Sequence, residues 1–150
     1  DAAIAGGFKK GKPVFSYYWE PTGIMGKVDL VKLKEPTYEQ GCWDKMTTVV
    51  EDIKKNGPDV YKPTCACAYV DMALTKAAST KFANIPANKP ILDFIRAYSI
   101  PTALVNSSLA FYMDESGGDM EETAKNFLSN SNIWESWVPS SVARKVKAAL

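Results

Sequence analysis

Pro13-Val-Phe-Ser-Tyr-Tyr-Trp19, closed by Glu20-Pro-Thr-Gly23, decides how the first half of this chain is read. Six residues dense in β-formers and aromatics open just after a proline and stop before a second proline, which is the local grammar of a short strand. On a strand, Tyr17 and Trp19 share one face and Tyr18 points to the other. Glu20-Pro-Thr-Gly23 breaks the run, and a loop or short helix should follow. The alternation of Val28, Leu30 and Lys32 against Asp29, Val31 and Leu33 predicts a second strand, stopped at Glu35-Pro36.

Upstream, residues 2–8 are small and apolar and read as the tail of a helix ended by Gly6-Gly7 or by Gly11. Downstream, Trp43 to Lys55 places Met46, Val49, Val50 and Ile53 on one side of a helix that Asn56-Gly57-Pro58 ends. Thr64 to Leu74 carries small residues and reads as a third strand. From Ser79 the pattern turns helical. Pro90 opens one helix and Pro101 the next, with Leu104, Val105, Leu109, Ala110 and Met113 at helical spacing up to Gly117-Gly118. Asp119, with Glu122 three residues on, is a cap for a further helix bearing Ala124, Phe127 and Leu128. An aromatic turn at Ile133, Trp134 and Trp137 precedes a last helix after Pro139, whose Arg144, Lys145 and Lys147 suit the negative end of its dipole. The expected fold class is therefore mixed α/β, a short β-sheet in the first half and helices in the second.

Composition excludes several functions. In 150 residues, 18 basic and 17 acidic side chains give a net charge of +1, and no lysine tract exceeds Lys9-Lys10 or Lys54-Lys55. Nucleic acid, which rewards a strongly basic face, is not an expected partner. No run of about 18 apolar residues offers a membrane span. The start at Asp1 and the short, glycine-containing apolar stretch behind it read as a processed or excised segment with no signal peptide. Histidine is absent, which removes the commonest general base near neutral pH and the commonest zinc ligand. Asp114-Glu115 and Glu121-Glu122 read as helix-end charges, and Cys65 or Cys67 as a nucleophile would lack a histidine partner, so the chain is not expected to be an enzyme. No phosphate-binding G-x-x-x-x-G-K-[ST] loop occurs, and no cofactor is implied.

The three cysteines, Cys42, Cys65 and Cys67, form no paired C-x-x-C knuckles. Cys65 and Cys67 are two apart, so on a strand they share a face and either can reach Cys42 in an oxidising compartment. Cys67 is the preferred partner; three buried reduced thiols are the alternative.

Lys12-Pro-Val-Phe-Ser-Tyr-Tyr-Trp-Glu-Pro-Thr22 and Gly26-Lys-Val-Asp-Leu-Val-Lys-Leu-Lys-Glu-Pro36 resemble two motifs of the substrate-binding family for glycine betaine, choline and proline betaine in ABC transporters. Those motifs are a strand ending in Tyr-x-Trp-x-Pro and a Lys-x-Asp-Leu-x-x-Leu-x-x-Pro segment. Ala66-Cys-Ala-Tyr69 resembles the family's crossing strand. Asn126-Phe-Leu, Ile133-Trp-Glu-Ser-Trp-Val-Pro139 and Val142 to Leu150 resemble its C-terminal signature. The resemblance implies part of a type II periplasmic binding protein, the C-terminal half only. Residues 1–62 would be the later part of ligand-binding lobe two and 63–150 the returning part of lobe one, with the amino-terminal half missing. It also implies a periplasmic or extracellular receptor, associated with the membrane through its transporter, that passes a quaternary ammonium ligand to a permease. The alternative is a structural or interaction fragment with no ligand binding of its own.

A trimethylammonium group donates no ordinary hydrogen bond and is best held on aromatic faces, each contact contributing about 0.5–2 kcal/mol. Trp19, at the end of its expected strand beside Glu20-Pro21, is the leading candidate for such a cage, against a tryptophan that merely fills a core. Tyr17, Tyr18 and Tyr69 are further candidates, and Glu20 can favour a cation. Some members of the resembled family carry a histidine after the cleft tryptophan to hold a betaine carboxylate. Thr22 and Gly23 stand there instead, so backbone N–H groups or the Thr22 hydroxyl would have to serve. Many relatives have paired prolines after the crossing-strand tyrosine, where this chain has Val70 and Asp71. Trp43, Trp134 and Trp137 are expected to pack the structure.

Overall fold

A computed structural model describes residues 2–60, 62 and 64–150. Eight α-helices run in chain order: α1 (Ala2–Lys9), α2 (Gly23–Lys27), α3 (Gln40–Asn56), α4 (Thr80–Ala83), α5 (Lys89–Ala97), α6 (Thr102–Asp114), α7 (Met120–Asn130) and α8 (Ser140–Lys147). Three 3₁₀ turns, Pro58–Val60, Pro86–Asn88 and Ile133–Trp137, lie between them.

No strand occurs among the described residues, which corrects the expected α/β class and the expected sheet of a type II binding protein. Residues 13–19, the stretch after Val28 and residues 64–74 are irregular. Their composition favours extended backbone, as expected, but a strand exists only where a neighbour supplies ladder hydrogen bonds. Here a single such link is seen, from the Ala68 N–H to the Pro36 carbonyl at 2.8 Å.

The helices end where local chemistry ends them. Asp119 accepts hydrogen bonds from the Glu121 and Glu122 N–H groups and caps α7. Ser79 does the same for α4 through the Phe82 N–H, and Glu39 for α3 through the Cys42 N–H at 3.1 Å. Gly57, at φ 84°, closes α3 by donating its N–H to the Ile53 carbonyl, a conformation that costs a side-chain-bearing residue more than glycine. Prolines 101 and 139 precede α6 and α8, as their fixed φ suggests. Helix α1 runs through Gly6-Gly7 and stops at Lys9, before Gly11.

The chain forms two compact units, residues up to Leu30 with Lys76–Leu150, and Val31–Thr75. The expected lobe boundary between residues 62 and 63 touches Pro63, which lies outside the described residues. In the first unit, Trp134, Trp137 and Ala143 are buried, with Ile100, Phe127, Leu128, Ile133, Val138 and Val146 packed against them. Trp137 is ringed by Tyr98 at 4.6 Å, Phe127 at 6.0 Å and Phe94 at 6.3 Å between ring centroids. The buried Trp134 indole donates to the Leu128 carbonyl at 2.9 Å, so it leaves no unpaired polar atom behind.

Also in the first unit, α2 lies along α6. The contact is close enough that a Cβ on Gly26 would collide with the Asn106 carbonyl oxygen. Ile24 is buried in this contact, and Lys27 ties its end to Asp114 at 2.6 Å.

The second unit is one helix, α3, flanked by extended chain. A disulfide joins Cys42 in its first turn to Cys65, with Cα atoms 5.9 Å apart. This corrects the preference for Cys67, which keeps its thiol. The two-residue offset between the candidates carries the Cys67 sulfur to the Glu39 carbonyl, 3.8 Å away, at the capping position that precedes the helix.

Candidate functional site

The turn that follows Trp19 is built on a buried asparagine. Asn106 sits in the middle of α6, is 3% exposed, and is the one buried polar side chain among the described residues. Its side-chain oxygen accepts the Thr22 N–H at 2.9 Å and its amide donates to Glu20 Oε1 at 2.6 Å. Both partners lie more than 80 positions away in sequence. A hydrogen bond to an ionised acceptor is the stronger kind, and a buried amide satisfied on both ends fixes geometry rather than merely tolerating burial. The Thr22 hydroxyl donates to the Trp19 carbonyl at 3.4 Å, which closes the turn on itself. The Glu20–Pro21 peptide within it is cis. Gly23 then enters α2 and is buried, with Met113 against its Cα.

The aromatic side chains stand on this braced turn. Trp19 is 61% exposed. Its ring lies parallel to that of Tyr18, with centroids 4.8 Å apart and planes 6° apart. On a strand these two neighbours would face opposite ways. Without a sheet to hold the pleat, consecutive rings are free to stack, an arrangement worth about 0.5–1.5 kcal/mol. Tyr18 thus covers one indole face and leaves the other toward solvent. Tyr17 is exposed beside them. Tyr69 belongs to the second unit, where it meets Trp43 edge to face at 4.7 Å, with Tyr38 on the same indole at 6.2 Å. Trp43 therefore packs, as do Trp134 and Trp137.

Of the residues singled out in the sequence, Tyr17, Tyr18, Trp19, Glu20, Thr22 and Gly23 are gathered on one turn of the first unit. The Thr22 N–H is engaged by Asn106 of α6 and its hydroxyl by the Trp19 carbonyl. Asn106 was missed. The signal for it is a lone amide in Leu104-Val-Asn-Ser-Ser-Leu109, with the apolar Ala103, Leu109 and Ala110 one helical turn away. No group of three or more His, Cys, Asp or Glu side chains among the described residues could hold a metal ion.

A comparison with protein families matches residues 1–130 to OpuAC, the substrate-binding domain of the ABC-type glycine betaine transport system. The chain belongs to this family. OpuAC proteins are the binding component of a transport system, not its catalyst, and this chain is accordingly not an enzyme. The match begins at residue 1 and ends at 130, so residues 133–150, read as the family's C-terminal signature, lie beyond it. That span and the absence of a sheet correct the reading of the chain as the C-terminal half only. Comparisons with curated proteins and with solved structures find no match. Among the described residues, no helix is long and apolar enough to cross a membrane.

Proposed function

We propose that this OpuAC-family chain captures a quaternary ammonium compound, of the glycine betaine or choline kind, outside the cytoplasm and hands it to a membrane permease. The observation that carries the reading is the exposed Tyr18–Trp19 pair, braced by a buried asparagine on a second element, in a chain of this family. Exposed aromatic surface normally costs free energy in water. Here the supporting turn is held by three hydrogen bonds, so the ring is presented rather than left over. An open indole face offers a negative quadrupole and an apolar surface together, which is what a methylated ammonium needs. Tyr17 is a further aromatic contributor on the same turn, Glu20 adds negative charge next to Trp19 in the chain, and Thr22 and Gly23 shape the turn.

The test is a calorimetric titration of the protein with tetramethylammonium chloride, followed by the quench of indole fluorescence. Binding is expected, and Trp19→Ala should weaken it by about 1–2 kcal/mol, the scale of a desolvated cation–π contact. Absence of binding, or binding indifferent to Trp19, would return the chain to the alternative of an interaction module without a ligand site.

A further inference from the structure

We infer that the Trp19 turn selects a quaternary ammonium cation with no carboxylate of its own, of the choline type, over a zwitterionic betaine. The inference rests on the proposed function above and assigns the selection to Glu20 and Asn106.

Both ligand classes present the same methylated ammonium to an aromatic face. They differ at the other end, where a betaine carries a carboxylate and choline a hydroxyl. A carboxylate needs hydrogen-bond donors or a positive charge; a hydroxyl can donate to an acceptor. The turn offers the second kind of partner. Its Thr22 N–H is taken by the Asn106 oxygen at 2.9 Å, and the Thr22 hydroxyl is turned to the Trp19 carbonyl at 3.4 Å. The Asn106 amide is directed at Glu20, 2.6 Å away, and is buried. Gly23 is buried too, which removes its N–H from a ligand outside. Lys27, the basic residue of α2, is paired with Asp114 at 2.6 Å. The indole N–H lies in the ring plane, at right angles to a cation resting on the face.

The Tyr17 and Tyr18 hydroxyls are neutral, and the charged group of the turn that faces outward is the Glu20 carboxylate. It is exposed, and only its Oε1 accepts the Asn106 amide. That hydrogen bond orients the carboxylate, whose residue follows Trp19 directly in the chain. A second carboxylate brought alongside would be repelled, whereas a cation on the indole gains attraction from the same charge and a hydroxyl finds an acceptor. Histidine is absent from the chain, so no imidazolium can reverse this balance.

Calorimetry on the protein at low ionic strength, with choline chloride, glycine betaine and tetramethylammonium chloride, tests the inference. Choline should bind at least about tenfold tighter than glycine betaine, the ratio that one well-placed charge commonly sets. Glu20→Gln, which keeps the acceptor for Asn106 but removes the charge, should bring the two within about threefold of each other. Glu20→Lys should favour the betaine. Glycine betaine equal to or tighter than choline on the parent protein overturns the inference, as does an unchanged ratio in Glu20→Gln. Either result, with tetramethylammonium still bound in a Trp19-dependent way, leaves the proposed function standing. If the parent binds none of the three ligands, both fall.

Discussion

Two aromatic regions of the first unit use the same residue types to opposite ends. Around Trp137, four rings from α5, α7 and the Ile133–Trp137 turn close on one another, and the indole is 7% exposed. Around Trp19, two rings stack on a turn and the indole stays in water. The polar groups differ as well. Trp134 satisfies its own N–H within the cluster. At Trp19 the polar partner is Asn106, which holds the Thr22 backbone and the neighbouring Glu20 carboxylate instead. An aromatic that stabilises the fold is enclosed by other apolar groups; an aromatic that serves a ligand is fastened from below and left open above.

Three substitutions and one pH experiment sharpen that contrast or break it. The largest effect is expected at Trp137. Trp137→Ala should destabilise the first unit by about 3–5 kcal/mol in chemical denaturation, because it empties a cavity at the meeting point of three other rings. Asn106→Ala should come next, at about 2 kcal/mol, since it strands the Thr22 N–H. Hydrogen exchange at the Thr22 amide should accelerate in this variant while amides in α7 stay protected, a local opening beneath the Trp19 turn.

Trp19→Ala should change stability by no more than about 0.5 kcal/mol, as surface substitutions do. If it cost as much as Trp137→Ala, Trp19 would be a core residue and the contrast would collapse. The smallest effect concerns Asp93 on α5. The hydrogen bond from Lys89 holds its carboxyl below the ordinary value of 3.8. Its contribution is therefore present above that value and disappears as the pH falls through the lowered one. Asp93→Asn should lower the thermal midpoint slightly at neutral pH, and the difference from the parent should vanish in acid.

Legibility followed the range of the interactions. Helices α6, α7 and α8 were readable because Pro101, Asp119 and Pro139 act within a few residues of themselves. Gly57 marked the end of α3 for the same reason. Residues 13–19 were read as a strand and are irregular instead, because pairing into a sheet depends on partners elsewhere in the chain, and composition alone does not name them. The break after Trp19 was visible through Glu20-Pro-Thr, although Trp19 itself was read as the end of a strand. The brace was not, because Asn106 lies 84 residues from Thr22 and helical periodicity records where apolar residues fall, not what a single amide among them holds. The choice between Cys65 and Cys67 failed on the same ground: a two-residue offset is decided by where the segment meets α3.

The Cys42–Cys65 bridge has a consequence for the order of events in assembly. Among the described residues of Val31–Thr75, the bridged Cys42 is the only buried one, so this unit has scarcely any apolar interior to draw it together. Closing a loop of this length removes unfolded-state freedom worth about 3 kcal/mol in the chain-entropy picture. Without the bond, α3 is a solitary helix with little of the tertiary packing that stabilises most helices in proteins. The first unit can collapse as soon as its rings meet. The second has to wait for an oxidant, so the last piece of the molecule to set would be timed by the compartment it enters rather than by its own sequence.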